Sequence, residues 1–167
     1  MGNNLIVKHN NVVEGHYKMT VTEVKIIAKL TSMIDKYDEE FKDHIFKIQD
    51  LLSSLNLGTK NHAILEDAID KLLTRKLEIR QLNGLVGEKE KKLKTTFLSS
   101  CLYDGENGIV TLRYDPCLKP YYIDLKNNFT QYNLENIVNL NSYYSCRIYE
   151  LAKQYQNANY DLSLIHI

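Results

Sequence analysis

The residues from Lys47 to Arg80, KIQDLLSSLNLGTKNHAILEDAIDKLLTRKLEIR, carry the strongest structural signal in this chain. Leucines recur at helical spacing in the first part, and Gly58 then suits the left-handed backbone of a helix C-cap. A second helical pattern covers His62–Arg75, and the turn before it ends in Asn61, a good N-cap. The stretch therefore predicts two helices joined by a tight turn.

A strand and a hairpin follow the two helices. Leu77–Leu82 alternates apolar and polar residues, as a half-buried strand does. Two further β-rich segments, Lys94–Tyr103 and Ile109–Tyr114, are joined by the turn Asp104-Gly105-Glu106-Asn107-Gly108. This order predicts an α+β fold, the winged helix, in which a helix-turn-helix body carries a β-hairpin wing. Domains of this class mostly hold nucleic acid or pair protein with protein, and they rarely perform catalysis.

The rest of the chain supplies elements that flank this body. We expect an extended segment up to Tyr17, Val12-Val13 included, and then a helix that begins with a capping box between Thr20 and Glu23. That helix runs to about Ile34 and is apolar over much of its circumference, so it should be sandwiched between neighbours. The other predicted elements are a strand over His44–Ile48, short helices over Cys117–Leu125 and Tyr132–Leu140, and a last helix over Tyr143–Tyr155.

Composition indicates one globular domain of ordinary size. The chain has 167 residues, of which 44% are hydrophobic and 25% charged, so a core of useful size can form. The longest apolar runs are only a few residues, and the first residues lack the pattern of a signal peptide. Cys101, Cys117 and Cys146 are an odd, widely spaced set, which is typical of reduced thiols. We therefore expect a cytoplasmic protein without a membrane partner.

The charges are unevenly distributed, although the formal net charge is zero. Residues 71–94 hold 8 basic and 3 acidic side chains, which leaves +5, whereas residues 1–70 hold 8 and 11, which leaves −3. This basic stretch covers the end of the second helix and the foot of the hairpin, where a winged helix meets phosphates. The alternative interpretation is a solvated surface on which like charges cluster by accident.

No group of residues forms a convincing catalytic or metal-binding pattern. The five histidines are dispersed, and the chain has no CxxC or HExxH motif. The carboxylates between Asp35 and Asp43 belong to a predicted loop, where they face water without fixed geometry. A glycine-rich phosphate loop is absent, and no nucleophile lies beside an identifiable base. We therefore expect no catalytic residue, no metal and no cofactor.

The last helix carries the motif SYYSCRIYELAKQY, from Ser142 to Tyr155, with an Arg-Ile-Tyr-Glu-Leu core. Two other segments accompany it in order, namely VKHNNVVEGHYKMTVTEVKIIAKLTSMID near the start and GIVTLRYDPCLKPYYIDLKNNFTQY in the second half. Together these segments resemble the plasmid replication initiators of the iteron-binding type. The resemblance covers about Leu5 to Tyr155, and one departure is His9-Asn10, where a Ser-Asn pair is more usual.

That resemblance implies two winged-helix domains in tandem, of which this chain matches the first. In the family, the first domain mediates dimerisation and makes accessory DNA contacts, and the second supplies the main base-reading helix. The implied partners are double-stranded DNA with origin repeats, a second copy in a homodimer, and host replication proteins. We expect residues 1–161 to form the first domain, residues 162–167 to be a non-native tail, and the second domain to be absent.

Two sets of side chains are predicted to make these contacts. The start of the second helix suits a DNA groove, and the basic stretch suits phosphates. The predicted DNA-binding residues are Lys60, Asn61, His62, Lys71, Arg75, Lys76, Arg80, Lys91 and Lys92, with Lys89 and Lys94 as further candidates at the wing. A free hairpin edge and an apolar strip of the first helix suit a second copy. The predicted dimerisation residues are Ile26, Leu30, Met33, Phe97, Val110 and Leu112.

Two other functions use the same features. A stand-alone winged-helix transcriptional regulator needs only the helix-turn-helix and the basic stretch, and a protein-interaction module needs no DNA contact. Within the last helix, Arg147 and Glu150 lie three residues apart, and we favour a structural role for them over a functional one. The 12 tyrosines similarly favour an aromatic core over base stacking.

Overall fold

The computed structural model of the protein describes residues 4–58, 60–80 and 91–156. The helices in these residues are α1 (Asn10–Val13), α2 (Val21–Thr31), α3 (Ile48–Ser54), α4 (His62–Thr74), α5 (Glu135–Val138) and α6 (Tyr143–Tyr155), with a 3-10 helix over Pro116–Tyr121. The strands are β1 (Leu5–His9), β2 (His44–Lys47), β3 (Leu77–Arg80), β4 (Lys92–Thr95), β5 (Leu98–Asp104), β6 (Ile109–Tyr114) and β7 (Phe129–Asn133).

Three antiparallel sheets surround the helices in the described part of the chain. Strand β1 pairs with β7, β3 pairs with β4, and the third sheet has the order β2-β6-β5. The predicted hairpin is confirmed as β5–β6, and the predicted strand at His44 is confirmed as β2, which pairs with the other side of β6. Because β6 lies in the middle, the third sheet exposes β2 and β5 as its edges.

Helix α2 begins with the predicted capping box and lies in the centre of the domain. The Thr20 side chain accepts a hydrogen bond from the Glu23 backbone, and the Glu23 carboxylate accepts one from the Thr20 backbone. Nine of the eleven residues of this helix are buried, Ile26 and Leu30 completely. The prediction that α2 is sandwiched between other elements is confirmed, since it packs against α4, α5, α6 and β1.

Helices α3 and α4 form the predicted helix-turn-helix, although the turn between them differs from the prediction. Helix α3 ends at Ser54, and the left-handed residue after it is Asn56, with φ at 54°, instead of Gly58. Asparagine tolerates this conformation better than most residues, and it lets the Leu57 N–H donate to the Leu52 carbonyl at 2.9 Å. The predicted core face of α4 is confirmed: Leu65, Ala68, Ile69 and Leu72 are all buried.

The segment predicted as one strand over Lys94–Tyr103 is divided between two sheets. Strand β4 ends at Thr95, and β5 begins at Leu98. Between them Phe97 is 2% exposed, and its ring meets Tyr17 edge-on with centroids 5.3 Å apart. Burying this aromatic ring turns the chain out of one sheet and into the next. This is a tertiary effect, which the alternation of apolar and polar residues along the sequence does not reveal.

Two other predicted elements are wrong. Val12 and Val13 lie in helix α1 instead of an extended segment, because the His9 ring accepts from the Asn11 backbone N–H and caps a new helix. Tyr132 belongs to strand β7, and only Glu135–Val138 is helical in the segment predicted as one helix. In both places a strand of the β1–β7 pair overrides local propensity.

Strand β3 approaches the N-terminal segment so closely that one position requires glycine. A Cβ built on Gly15 would lie 2.8 Å from Cγ2 of Ile79 and 3.0 Å from the Val12 carbonyl oxygen. The next residue, His16, bridges to Glu78 through its backbone N–H and carbonyl. This contact fixes the base of the β3–β4 pair against the body of the domain.

Candidate nucleic-acid interface

The outward face of the β3–β4 pair is strongly basic. Leu77 and Ile79 point inward and are buried, so the residues that alternate with them point outward. We define the basic ribbon as this outward face, on which four cations surround one carboxylate: Lys76, Arg80, Lys92 and Lys94, with Glu78 among them. Four of these predicted DNA-binding residues and candidates are therefore brought together on one exposed surface.

Glu78 lies at the centre of the basic ribbon. Its Oε1 is 3.1 Å from the Lys92 Nζ, and its Oε2 is 3.6 Å from the Lys94 Nζ. Lys94 is its direct cross-strand partner, and Lys92 is the diagonal one. The hydrogen bond with Lys92, and then both lysine charges, lower the pKa of Glu78. Sequence reasoning missed this residue, although its outward position follows from the alternation in Leu77–Arg80.

Two of the residues predicted to contact phosphate form ion pairs with carboxylates of the same domain. The Arg75 Nε donates to Oε1 of Glu23 at 2.9 Å, and that carboxylate is fully buried. The Lys71 Nζ pairs with Asp67, one helical turn earlier, at 2.5 Å. Arg75 thus links the end of α4 to the start of α2. Its geometry is that of a structural residue, and its place among the phosphate contacts stays a prediction.

Only the start of helix α4 is suited to bind an anion, because the rest of its exposed face is acidic. Lys60 and His62 are exposed and Asn61 is half-buried at the N-terminal end, where free N–H groups favour negative charge. Asn61 occupies the N-cap position, but its side chain makes no capping hydrogen bond. Further along, the exposed face carries Glu66, Asp67 and Asp70. A helix lying lengthwise in a groove would press these carboxylates against phosphates, so end-on contact is the favourable geometry.

Most of the residues predicted for dimerisation are inside the domain. Ile26, Leu30, Phe97, Val110 and Leu112 are each at most 2% exposed, because both faces of α2 and the inner face of β6 belong to the core. Met33 is 43% exposed and is the one member of the predicted set with a substantial accessible surface. Five of the six predicted side chains are therefore covered by the core of the domain itself, and the predicted dimer surface stays a prediction.

A different apolar surface is exposed on the outer face of the β2-β6-β5 sheet. Ile45 is 63% exposed and Leu102 is 69% exposed, and both lie opposite Thr111 in the register of β6. These three side chains form a row across the sheet, which we call the outer sheet row. Arg113 and Asp43 flank it with a two-point ion pair, in which the Arg113 Nη2 lies 2.8 Å from Oδ2. Sequence reasoning missed Ile45 and Leu102, because Ile45 and Phe46 are both apolar and only the sheet shows which of them faces outward.

The family-like motif of the last helix forms a buried charge network. Glu150 is 2% exposed; it accepts from the Lys8 ammonium and the Tyr132 hydroxyl, and the Arg147 Nη1 lies 3.6 Å away. Arg147 also donates to the Tyr17 hydroxyl at 2.6 Å. This network joins α6 to β1 and β7, which supports the structural interpretation of the motif. Among residues 4–58, 60–80 and 91–156, no cluster of His, Cys, Asp or Glu has the arrangement of a metal site.

Within those same ranges, no helix combines the length and apolar character that a bilayer crossing requires. The basic ribbon and the start of α4 remain the surfaces best suited to an anionic partner.

Comparisons with known proteins agree with this architecture. The chain is 28% identical over 171 residues to a replication initiation protein of Escherichia coli, and the alignment covers 96% of the chain and 52% of that protein. The crystal structure of the Pi initiator protein in complex with iteron DNA has a TM-score of 0.72 at 18% identity, over 93% of this chain and 65% of that one. That likeness shows the winged-helix fold.

The chain therefore spans about half the length of the curated relative that it matches. The sequence profile described as Initiator Replication protein, WH1, matches residues 5–153, which is nearly the whole described chain. This chain belongs to the family of initiator replication proteins and corresponds to their WH1 winged-helix domain.

Proposed function

We propose that this domain binds double-stranded origin DNA and pairs with a second copy as part of a plasmid replication initiator. The observation that carries the proposal is the basic ribbon, an exposed strand pair whose outward face holds four cations, next to a helix-turn-helix. Family membership supports it, as does the complex of the Pi initiator with iteron DNA, a protein of the same fold.

The basic ribbon contacts the phosphate backbone in this proposal. Lysine and arginine side chains on a twisted strand pair contact the phosphates along one DNA strand. These charged contacts fix the position of the protein on the DNA without reading the base sequence. The start of α4, from Lys60 to His62, contacts a second phosphate or a base edge with its free N–H groups. Lys92 belongs to the basic ribbon, and Lys91, which is exposed just before β4, adds a further charge beside it. Such contacts are accessory, and the second domain of the full-length initiator supplies the main sequence recognition.

The outer sheet row is the proposed dimer surface. It exposes Ile45 and Leu102, and β5 beside it is a sheet edge with hydrogen-bonding groups on one side only in the described residues. A dimer here would be expected to repress or to hold the protein inactive, while monomers load on origin repeats with host replication proteins. The activity is binding without catalysis, in the bacterial cytoplasm.

Substitution within the outer sheet row tests the dimer. Leu102→Asp places a charge on this apolar surface and should weaken self-association at least about tenfold, measured by sedimentation equilibrium. Met33→Asp is the matched control, because Met33 is exposed but follows the end of α2 and does not belong to the outer sheet row. If Met33→Asp dissociates the dimer and Leu102→Asp does not, the interface lies where the sequence predicted it.

A DNA titration tests the proposed function against its alternatives. The chain is titrated into duplex carrying direct repeats and into a scrambled duplex, at about 50 and about 200 mM salt. An initiator domain should bind both duplexes weakly and lose roughly 40-fold in affinity between these salt concentrations if about three phosphates are contacted. Strong preference for one duplex would favour a stand-alone regulator. Undetectable binding at low salt by a stable dimer would favour a protein-interaction module and contradict the proposal.

A further inference from the structure

Glu78 occupies a place in the basic ribbon that a DNA phosphate would otherwise take. Its two carboxylate oxygens divide between two ammonium groups, Lys92 on one side and Lys94 on the other. All three side chains are partly exposed, at 29%, 47% and 55%, so solvent and ligands reach the cluster. A phosphate offers lysine the same chemistry as a carboxylate, an anionic oxygen that accepts a charge-assisted hydrogen bond.

The backbone around Glu78 limits how far this carboxylate can move away. Residue 78 is held on one side by the β4 ladder and on the other by the bridge to His16. Its side chain leaves the outward face between Lys76 and Arg80, which are exposed cations on the same strand face. A DNA strand on the basic ribbon would therefore meet this carboxylate at the centre of the charged surface, where repulsion of a phosphate is strongest.

We infer that Glu78 is an internal competitor of DNA phosphate, which holds Lys92 and Lys94 in the free protein and releases them only to DNA. The inference rests on the proposed function and concerns the regulation of the same surface. Single phosphates bind poorly because each must displace the carboxylate. Stable binding then requires several contacts at once, which favours DNA that also engages the rest of the initiator over isolated non-specific sites.

Neutralising the carboxylate tests the inference. In Glu78→Gln, the affinity for scrambled duplex at about 100 mM salt should rise at least about fivefold, and the slope of log affinity against log salt should steepen by about 0.9. Glu106→Gln, an exposed residue of the β5–β6 turn, makes the same change in net charge and should have a much smaller effect. A similar gain in affinity in both variants would show that the effect comes from net charge alone, and it would overturn the inference.

The same gain should depend on the two lysines. In a Lys92→Gln, Lys94→Gln background, Glu78→Gln should improve binding much less, because no ammonium group is released and only the direct repulsion of phosphate is relieved. An undiminished gain there would overturn the inference. Weaker binding in Glu78→Gln alone would also overturn it, since Glu78 would then be a residue that positions the lysines for DNA. If wild type binds DNA and Glu78→Gln binds it with the same affinity, the inference is wrong but the proposed function stands. If neither binds, it fails together with the proposed function.

Discussion

Glu150 is the point where the last helix is joined to the N-terminal strand. It is 2% exposed, and its partners Lys8 and Arg147 come from β1 and from α6 itself. A buried carboxylate between two cations costs desolvation energy, which only a complete set of partners offsets. The motif that signals the family in the sequence is therefore explained by folding, since Arg147 and Glu150 make their contacts with Tyr17 and Lys8 inside the domain.

Removing the charge at position 150 should destabilise the domain. Glu150→Gln leaves the buried Lys8 ammonium without its counter-charge, and the expected loss in the free energy of unfolding is about 3 to 5 kcal/mol. Urea denaturation measures it, with the exposed Glu106→Gln variant as a control that should change stability by no more than about 0.5 kcal/mol. Equal stability of Glu150→Gln and wild type would show that the network is not needed for the fold.

His44 should make stability depend on pH in a defined direction. Burial lowers the pKa of His44, although the charges of Asp38 and Asp43 act in the opposite direction and that of Lys42 adds to the lowering. The unfolded chain then binds a proton more readily than the folded one, so stability is full above the ordinary histidine pKa of about 6.5 and falls as the pH drops through it.

The pH dependence of urea denaturation in a His44→Gln variant checks this expectation. The decrease in unfolding free energy between about pH 7 and about pH 5 should be smaller in this variant than in wild type, whatever its absolute stability. His62→Gln, at an exposed position, should keep the wild-type dependence. An unaltered slope in His44→Gln would mean that the buried imidazole titrates as it does in the unfolded chain.

At the scale of elements, patterns that lie within one helix or hairpin were predictable. The capping box at Thr20 and the core face of α4 are each set by residues within a turn or two of one another. Elements whose conformation depends on a distant strand were not predictable. Val12 leaves the extended state because β1 ends against β7, and the β-rich segment after Lys94 divides because Phe97 enters the core. Alternation alone records neither contact.

Arg75 and Lys76 are neighbours in the sequence with opposite expected roles. Arg75→Gln leaves the buried Glu23 carboxylate without its cation, and it should cost roughly 1 to 3 kcal/mol of stability because the guanidinium is partly solvated. Lys76→Gln should leave stability within about 0.5 kcal/mol of wild type and weaken DNA binding. The pair is measured by thermal unfolding and DNA titration below the melting temperature. Loss of stability in Lys76→Gln, with none in Arg75→Gln, would reverse the assignment.

At the scale of the whole molecule, the basic, acidic and apolar surfaces of the domain lie on different elements. Lys76, Arg80, Lys92 and Lys94 face outward from the β3–β4 pair, carboxylates of α4 occupy the exposed side of that helix, and the apolar outer sheet row lies on another sheet. The sequence predicted the basic surface because its charges are close together along the chain. It did not predict the outer sheet row, because apolar residues such as Leu112 and Leu102 look alike until the sheet places one inward and the other outward.

Lysine substitution on the basic ribbon tests the central claim, that this surface contacts the DNA backbone. A triple variant, Lys76→Gln, Lys92→Gln and Lys94→Gln, is compared by fluorescence anisotropy with one that neutralises the exposed Lys36, Lys47 and Lys126. The ribbon variant should lose about 2 to 3 units from the magnitude of the slope of log affinity against log salt, while the control keeps nearly all of it. Equal losses in the two variants would show that DNA responds only to net charge and would contradict a DNA-binding role for the basic ribbon.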